Sequence, residues 1–176
     1  MGQDYFFVRS FIRFVASVLV KLPKNALEND VDLVLGGICA LEQEISWFRS
    51  EATKWRVQLA GLTLQKANSD YCRFLEELSD SSTHHAVALA AFWAIEMVYN
   101  ESFATCIEGA TDTPIELRGA CERWGNAEFK GYCMALQKLA EKYLQISATD
   151  VQKQAEQEFL NVLSFEVKFW NMSSQP

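Results

Sequence analysis

Apolar positions return at steps of three and four residues in nearly every segment of the chain, and prolines are scarce, so the pattern predicts an all-α protein. A first helix is expected from about Asp4 to Lys21, stopping near Pro23. A second is expected from about Asp32 to Lys54, weakened at Gly36 and Gly37, where a close helix crossing is anticipated. A third covers about Gln65 to Leu78 and ends at the polar run SDSST; a fourth covers about His84 to Glu108. In TDTPIEL, Thr113 is expected as N-cap, Pro114 as the first helical residue and Glu116 as the reciprocal partner of a capping box. Gly125 should end that helix before another from about Ala127 to Gln145. SATD repeats the capping pattern, with Ser147 as cap and Asp150 at the third position, for a last helix ending near Met172. No internal repeat, low-complexity tract or linker interrupts the series, so residues 1–176 are expected to form one helical bundle.

The pattern contains an anomaly. In AFWAIEMVYNESF, residues 91–103, helical spacing aligns Leu89, Phe92, Glu96, Tyr99 and Phe103 on one stripe. A carboxylate in an apolar row costs free energy unless it is paired, protonated or used chemically. Glu166 repeats the feature in the last helix, in line with Phe159, Leu163 and Trp170, and Asp4 in the first, in line with Val8, Phe11 and Val15. One such acid is commonly a paired boundary residue. Three acids on three apolar faces, if those faces meet, instead make an apolar pocket with convergent polar groups, the usual form of a small-molecule site. Phe92, Trp93, Tyr99 and Trp124 are then candidates for its walls, although core packing is the commoner use of such residues. Glu42 and Glu44 fall on different faces of their helix and are expected to be solvated.

Composition narrows the classes. With 49% hydrophobic and 12% aromatic residues, 176 residues suffice for a sizeable core. A formal charge of -7, with no run of Lys or Arg, argues against nucleic acid or an anionic membrane as partner. The opening YFFVRSFIRFVASVLV is broken by Arg9 and Arg13 one turn apart, which makes it an amphipathic helix and neither a membrane span nor a signal peptide. Five cysteines without C-x-x-C spacing read as reduced, mostly packed thiols of a cytoplasmic protein, with no zinc site and no nucleophile paired to a histidine. His84 and His85 follow a polar loop without further ligand spacing, so no metal is expected there.

The strings GQDYFFVR, AFWAIEMVYNESF, RWGNAEF and FEVKFWNM, in that order along essentially the whole chain, resemble the TenA/thiaminase II family of thiamine salvage proteins, closest to its plant, seed-maturation-protein-like branch. The resemblance implies the all-α haem-oxygenase-like fold without haem, a role in handling aminopyrimidine fragments of thiamine, and no cofactor. It further implies that Asp4 hydrogen-bonds the pyrimidine and that Glu166, in E-x-x-F-W-x-M, is the catalytic glutamate. Ala91 stands where the cysteine-dependent branch carries its nucleophile, and Phe7, Ile95 and Trp124 stand where tyrosines are expected around the ring. That pattern is similar to the cysteine-less, glutamate-type branch, which hydrolyses formylamino- and aminomethyl-pyrimidines to the hydroxymethyl aminopyrimidine (HMP). Relatives also carry a helical segment ahead of the Q-D-Y motif. The expectation is therefore a shortened chain, with Asp4 at a frayed terminus and an uncovered apolar face at Phe7, Phe11, Phe14, Val15 and Val18 that either leaves it less stable than an extended version or is hidden by homo-oligomerisation.

The resulting expectation is a metal-free amidohydrolase or aminohydrolase acting on a small pyrimidine, in which Glu166 and Glu96 divide the roles of base and acid and Asp4 orients the ring, the division itself being left open. A non-catalytic pyrimidine-binding or storage protein is the alternative, and a protein-interaction bundle a third.

Overall fold

The computed structural model describes residues 2–108 and 113–174, and the described residues contain helices and no strand. The helices are α1 (Gly2–Lys21), α2 (Glu28–Lys54), α3 (Lys66–Ser79), α4 (His85–Glu108), α5 (Ile115–Trp124), α6 (Ala127–Gln145) and α7 (Thr149–Trp170), followed by a 3-10 turn, Asn171–Ser174. The expected elements are all present, and α6 has the expected ends.

Position in the bundle follows from apolar pattern. Helix α4 is apolar on every side, with Ala86, Val87, Ala88, Leu89, Ala90, Ala91, Phe92, Ala94 and Ile95 all buried, so it can only be central. It packs against α1, α5, α6 and α7, and its run of alanines lets those neighbours approach closely. Helix α1 is amphipathic and lies against α2, α3 and α4. Its inner face, Phe7, Phe11, Phe14, Val15 and Val18, is fully buried in this single chain. The expected uncovered face is therefore corrected, because α2 and α3 supply the cover that sequence could not reveal.

The first turn of α1 is also anchored and not frayed. Gln3 Nε2 donates to Thr63 O at 3.0 Å, Gln3 Oε1 accepts from Gln65 N at 3.0 Å, and buried Asn68 donates to Gln3 O at 2.8 Å. At its other end, Lys21 donates to Ser79 O at 2.7 Å, placing a cation on the exposed carbonyls of the α3 C-terminus.

Two expected caps are corrected. Helix α5 begins after Pro114 with no side-chain cap, and the Thr113 hydroxyl instead donates to Cys106 O at 3.0 Å. Helix α7 begins after Ala148, and the Ser147 hydroxyl donates back to Tyr143 O at 2.7 Å. The cap that is made is Asn126, whose side chain accepts from Phe129 N at 2.8 Å. At Gly125 a side chain would meet the α4 backbone, 2.6 Å from Ala104 N, so the α5–α6 corner can seat directly on α4. Buried Asn100 on α4 completes that corner by donating to Trp124 O at 2.7 Å and Asn126 O at 3.2 Å.

Candidate active site

Glu166 on α7 is buried and holds two hydrogen bonds. Tyr71 of α3 donates its hydroxyl to Oε1 at 2.6 Å, and Trp170, one turn along α7, donates Nε1–H to Oε2 at 2.9 Å. Burial pushes the Glu166 carboxyl up to about 7, while the Tyr71 and Trp170 bonds act in the opposite sense by favouring the carboxylate. The Tyr71 phenol is itself driven well above its ordinary range, first by burial and then by the Glu166 charge, so it stays a donor.

Glu96 on α4 is in a different state. It is buried and accepts no hydrogen bond among the described residues. Burial raises its carboxyl well above the usual glutamate value, and the charges of Glu44 and then Glu166 push the same way. The neutral acid is the form this environment favours. Glu44 of α2, half-buried, accepts from Trp124 Nε1 at 2.8 Å. Burial raises its carboxyl too, with the Trp124 bond and then the Arg123 charge opposing. Trp124 is held for this task by Trp47 at 5.1 Å edge-on, Phe48 at 5.8 Å and Phe103 at 5.0 Å between ring centroids.

Tyr99 marks where these groups converge. Burial raises its phenol well above the ordinary tyrosine range, and the charges of Asp4, Glu166, Glu44 and Glu96, from four different helices, all add to the effect. Its hydroxyl is buried without a protein partner. A buried phenol lacking a partner needs an explanation, and a polar ligand atom supplies one. Its ring lies parallel to Phe7 at 6.1 Å and against Trp170 at 5.5 Å.

Between these side chains lies a small inner pocket lined by Phe7, Glu44, Ile95, Glu96, Tyr99 and Trp124 among others, with about 10 Å³ of free space, room for one water. Outside it, between α2 and α6, opens a cleft of about 380 Å³ walled by Leu33, Phe129 and Tyr132 and carrying Asp32 and Glu128 at its rim. Leu41, Glu44 and Glu96 line both spaces and form the neck between them. Behind the cleft, Gly37 lets α2 and α6 approach closely, because any side chain there would run into the Tyr132 hydroxyl, 2.2 Å away.

The structure thus brings Glu96, Glu166, Asp4, Phe7, Tyr99 and Trp124 of the sequence-derived set around one centre. Asp4 stands half-buried in the first turn of α1. Phe92 and Trp93 are placed elsewhere. Phe92 lies a turn below Glu96 and packs edge-on against Phe11 at 5.7 Å, while Trp93 turns toward α7 and stacks on Phe159 at 5.5 Å. The solvated role expected for Glu44 is corrected by its bond to Trp124. Two residues escaped the sequence reading altogether as site members, Glu44 and Tyr71. A signal for Glu44 was present, since Leu41, Glu44 and Phe48 follow the same spacing as the Glu96 stripe. No such signal exists for Tyr71, whose partner is on a distant helix. Among the described residues, no three His, Cys, Asp or Glu side chains are grouped so as to hold a metal ion. None of the described helices is long and apolar enough to cross a membrane.

Comparison with known proteins agrees with this arrangement. The X-ray structure of a TenA homologue from Pyrococcus furiosus superposes with a TM-score of 0.88 at 20% identity, covering 97% of this chain and 79% of that one. The architecture is therefore the helical haem-oxygenase-like fold. A Glycine max protein named "Probable bifunctional TENA-E protein" is 49% identical over 174 residues, which span 98% of this chain and 76% of the relative. The family model described as TENA/THI-4/PQQC matches residues 1–175. With a whole-chain match, a close plant relative and the same fold, this chain belongs to the TENA/THI-4/PQQC family.

Proposed function

We propose that the protein is a thiamine salvage hydrolase that releases HMP from aminomethyl- or formylamino-pyrimidine fragments. Family membership supports the salvage role. The observation that carries the reaction is the contrast between two buried glutamates: Glu166 holds two donors on its carboxylate and titrates at about 7, whereas Glu96 has none and is pushed well above its ordinary value. Environments that separate two carboxyls in this way assign them opposite roles.

Glu166 is the general base and Glu96 the general acid. For an aminomethyl substrate, Glu166 takes a proton from water as the water oxygen bonds to the exocyclic carbon. The carbon–nitrogen bond breaks and Glu96 gives its proton to the departing amine, so that water and the amine become HMP and ammonia. With a formylamino substrate, attack falls on the formyl carbon, and formate and the aminomethyl compound are the first products. Tyr71 and Trp170 orient the base; Asp4 and the Tyr99 hydroxyl supply polar contacts to the ring. The free space of about 10 Å³ suits the attacking water and not a pyrimidine, so entry through the outer cleft requires the Leu41–Glu44–Glu96 neck to widen.

The test is release of ammonia or formate from the synthetic pyrimidines, followed by product identification. Turnover to HMP supports the assignment. Tight HMP binding without turnover overturns it in favour of a binding or storage protein, and neither binding nor turnover removes the small-molecule reading.

A further inference from the structure

Two cysteines stand outside the machinery above. Cys106, exposed, lies on the last turns of α4, and Cys121, buried, lies on α5. Helix α4 packs against α5 here, and the Cys106 thiol is near enough to Cys121 to perturb it. Both line a separate pocket of about 440 Å³, whose walls include Phe103, Leu117 and Trp170. The arrangement combines what disulfide formation needs: a solvent-reachable thiol for the first attack, a second thiol beside it to resolve the adduct, and an opening for a small reagent. Burial, with the neighbouring Cys106 next, raises the Cys121 thiol.

We propose that Cys106 and Cys121 are an oxidation site, converted by a low-molecular-weight disulfide into an intramolecular disulfide that ties α4 to α5. The Cys106 thiolate attacks one sulfur of the reagent and expels a thiolate. Cys121 then attacks the Cys106 sulfur, loses its proton and expels the second thiolate. Two protein thiols are oxidised, the reagent is reduced to two thiols, and the protons released go to those leaving groups.

The link bears on the site. Cys121 lies one turn before Trp124, which holds Glu44, and Phe103 packs against both Trp124 and Trp170, at 5.0 and 5.4 Å. Trp170 borders the same pocket and holds Glu166. Oxidation therefore pins α5, whose Trp124 donates to Glu44, against the end of α4 that carries Phe103.

The experiment treats the full chain with oxidised glutathione and reads intact mass, linked peptides and melting temperature. The expected result is a linked peptide pair containing Cys106 and Cys121, loss of two hydrogens, and a reductant-reversible rise in melting temperature. For a link closing about 15 residues in a chain of this size, that rise is roughly 6–12 °C. Exposed Cys39 should carry at most a glutathione adduct. Cys121→Ser should trap glutathione on Cys106 with no such rise, and Cys106→Ser should leave Cys121 unmodified. A stable glutathione adduct on Cys106 of the unaltered chain, or a linked form that melts no higher, overturns the proposal. These readouts involve no substrate, so their failure is separate from failure of the hydrolase assignment.

Discussion

Replacing Tyr71 by Phe is the sharpest probe of the proposed base. The substitution keeps a ring stacked on Phe165 at 5.3 Å and against Phe7 at 4.8 Å, and deletes the hydroxyl that donates to Glu166 Oε1 at 2.6 Å. That bond favours the carboxylate, so its loss must raise the Glu166 value from about 7. A hydrogen bond to a charged group contributes about 1.5–3 kcal/mol, which is roughly one to two pKa units. The variant base should then titrate near 8 to 9, and at pH 7 its ionised fraction falls from about one half to roughly 1–10%. The kcat/KM for ammonia release should therefore drop roughly 5- to 50-fold at pH 7 and recover as pH rises, because the acidic limb of the profile moves upward. The assay is a pH series of initial rates, with a melting curve to confirm that the variant is folded. An acidic limb that stays in place or moves downward would refute Glu166 as the base that Tyr71 tunes.

Glu166→Gln keeps the shape and removes the proposed base, so turnover should fall roughly 100- to 10,000-fold while HMP binding, measured by calorimetry, is largely retained. Glu44→Gln removes a negative neighbour of Glu96; Glu96 should lose its proton at lower pH, moving the alkaline limb of the rate profile down. The raised carboxyls also predict a stability profile. A folded value of about 7 for Glu166 against 4.5 unfolded means that the native state binds the proton more tightly between those values. The stabilising contribution is complete below about pH 4.5 and lost as pH rises through 7, an effect of about 3 kcal/mol for this buried group. Denaturant titrations should show the wild-type chain weakening from pH 5.5 to 8.5, and Glu166→Gln weakening less. Away from the site, Arg56 follows the end of α2 with a positive φ of 55°, in a turn closed by Val57 N to Ala52 O at 2.8 Å. Arg56→Gly should relieve that backbone cost and stabilise the protein by about 1 kcal/mol with activity unchanged.

What the sequence disclosed and withheld divides along physical lines. Helix positions were legible because period and breakers are local, and Gly125 marks the break before α6 without reference to the rest of the chain. The caps at Thr113 and Ser147 were misread because each hydroxyl has a competing acceptor within its own neighbourhood, Cys106 O or Tyr143 O, and sequence spacing does not decide between them. The cover over the inner face of α1 was invisible because it comes from α2 and α3.

The site follows the same division. A carboxylate on an apolar stripe identified Glu96 and Glu166 because burying an acid is costly wherever it occurs, and the same test would have flagged Glu44 had its stripe been compared with theirs. The partners that separate the acids could not be read this way. Tyr71 reaches Glu166 from α3, and Trp124 reaches Glu44 from α5, across the packed bundle. Those donors favour the carboxylates of Glu166 and Glu44 against the burial that raises both. Sequence periodicity therefore locates the acids, while the proposed division into acid and base rests on tertiary contacts, and a relative that kept the glutamates but lost Tyr71 or Trp170 should keep the pocket and lose the pH optimum.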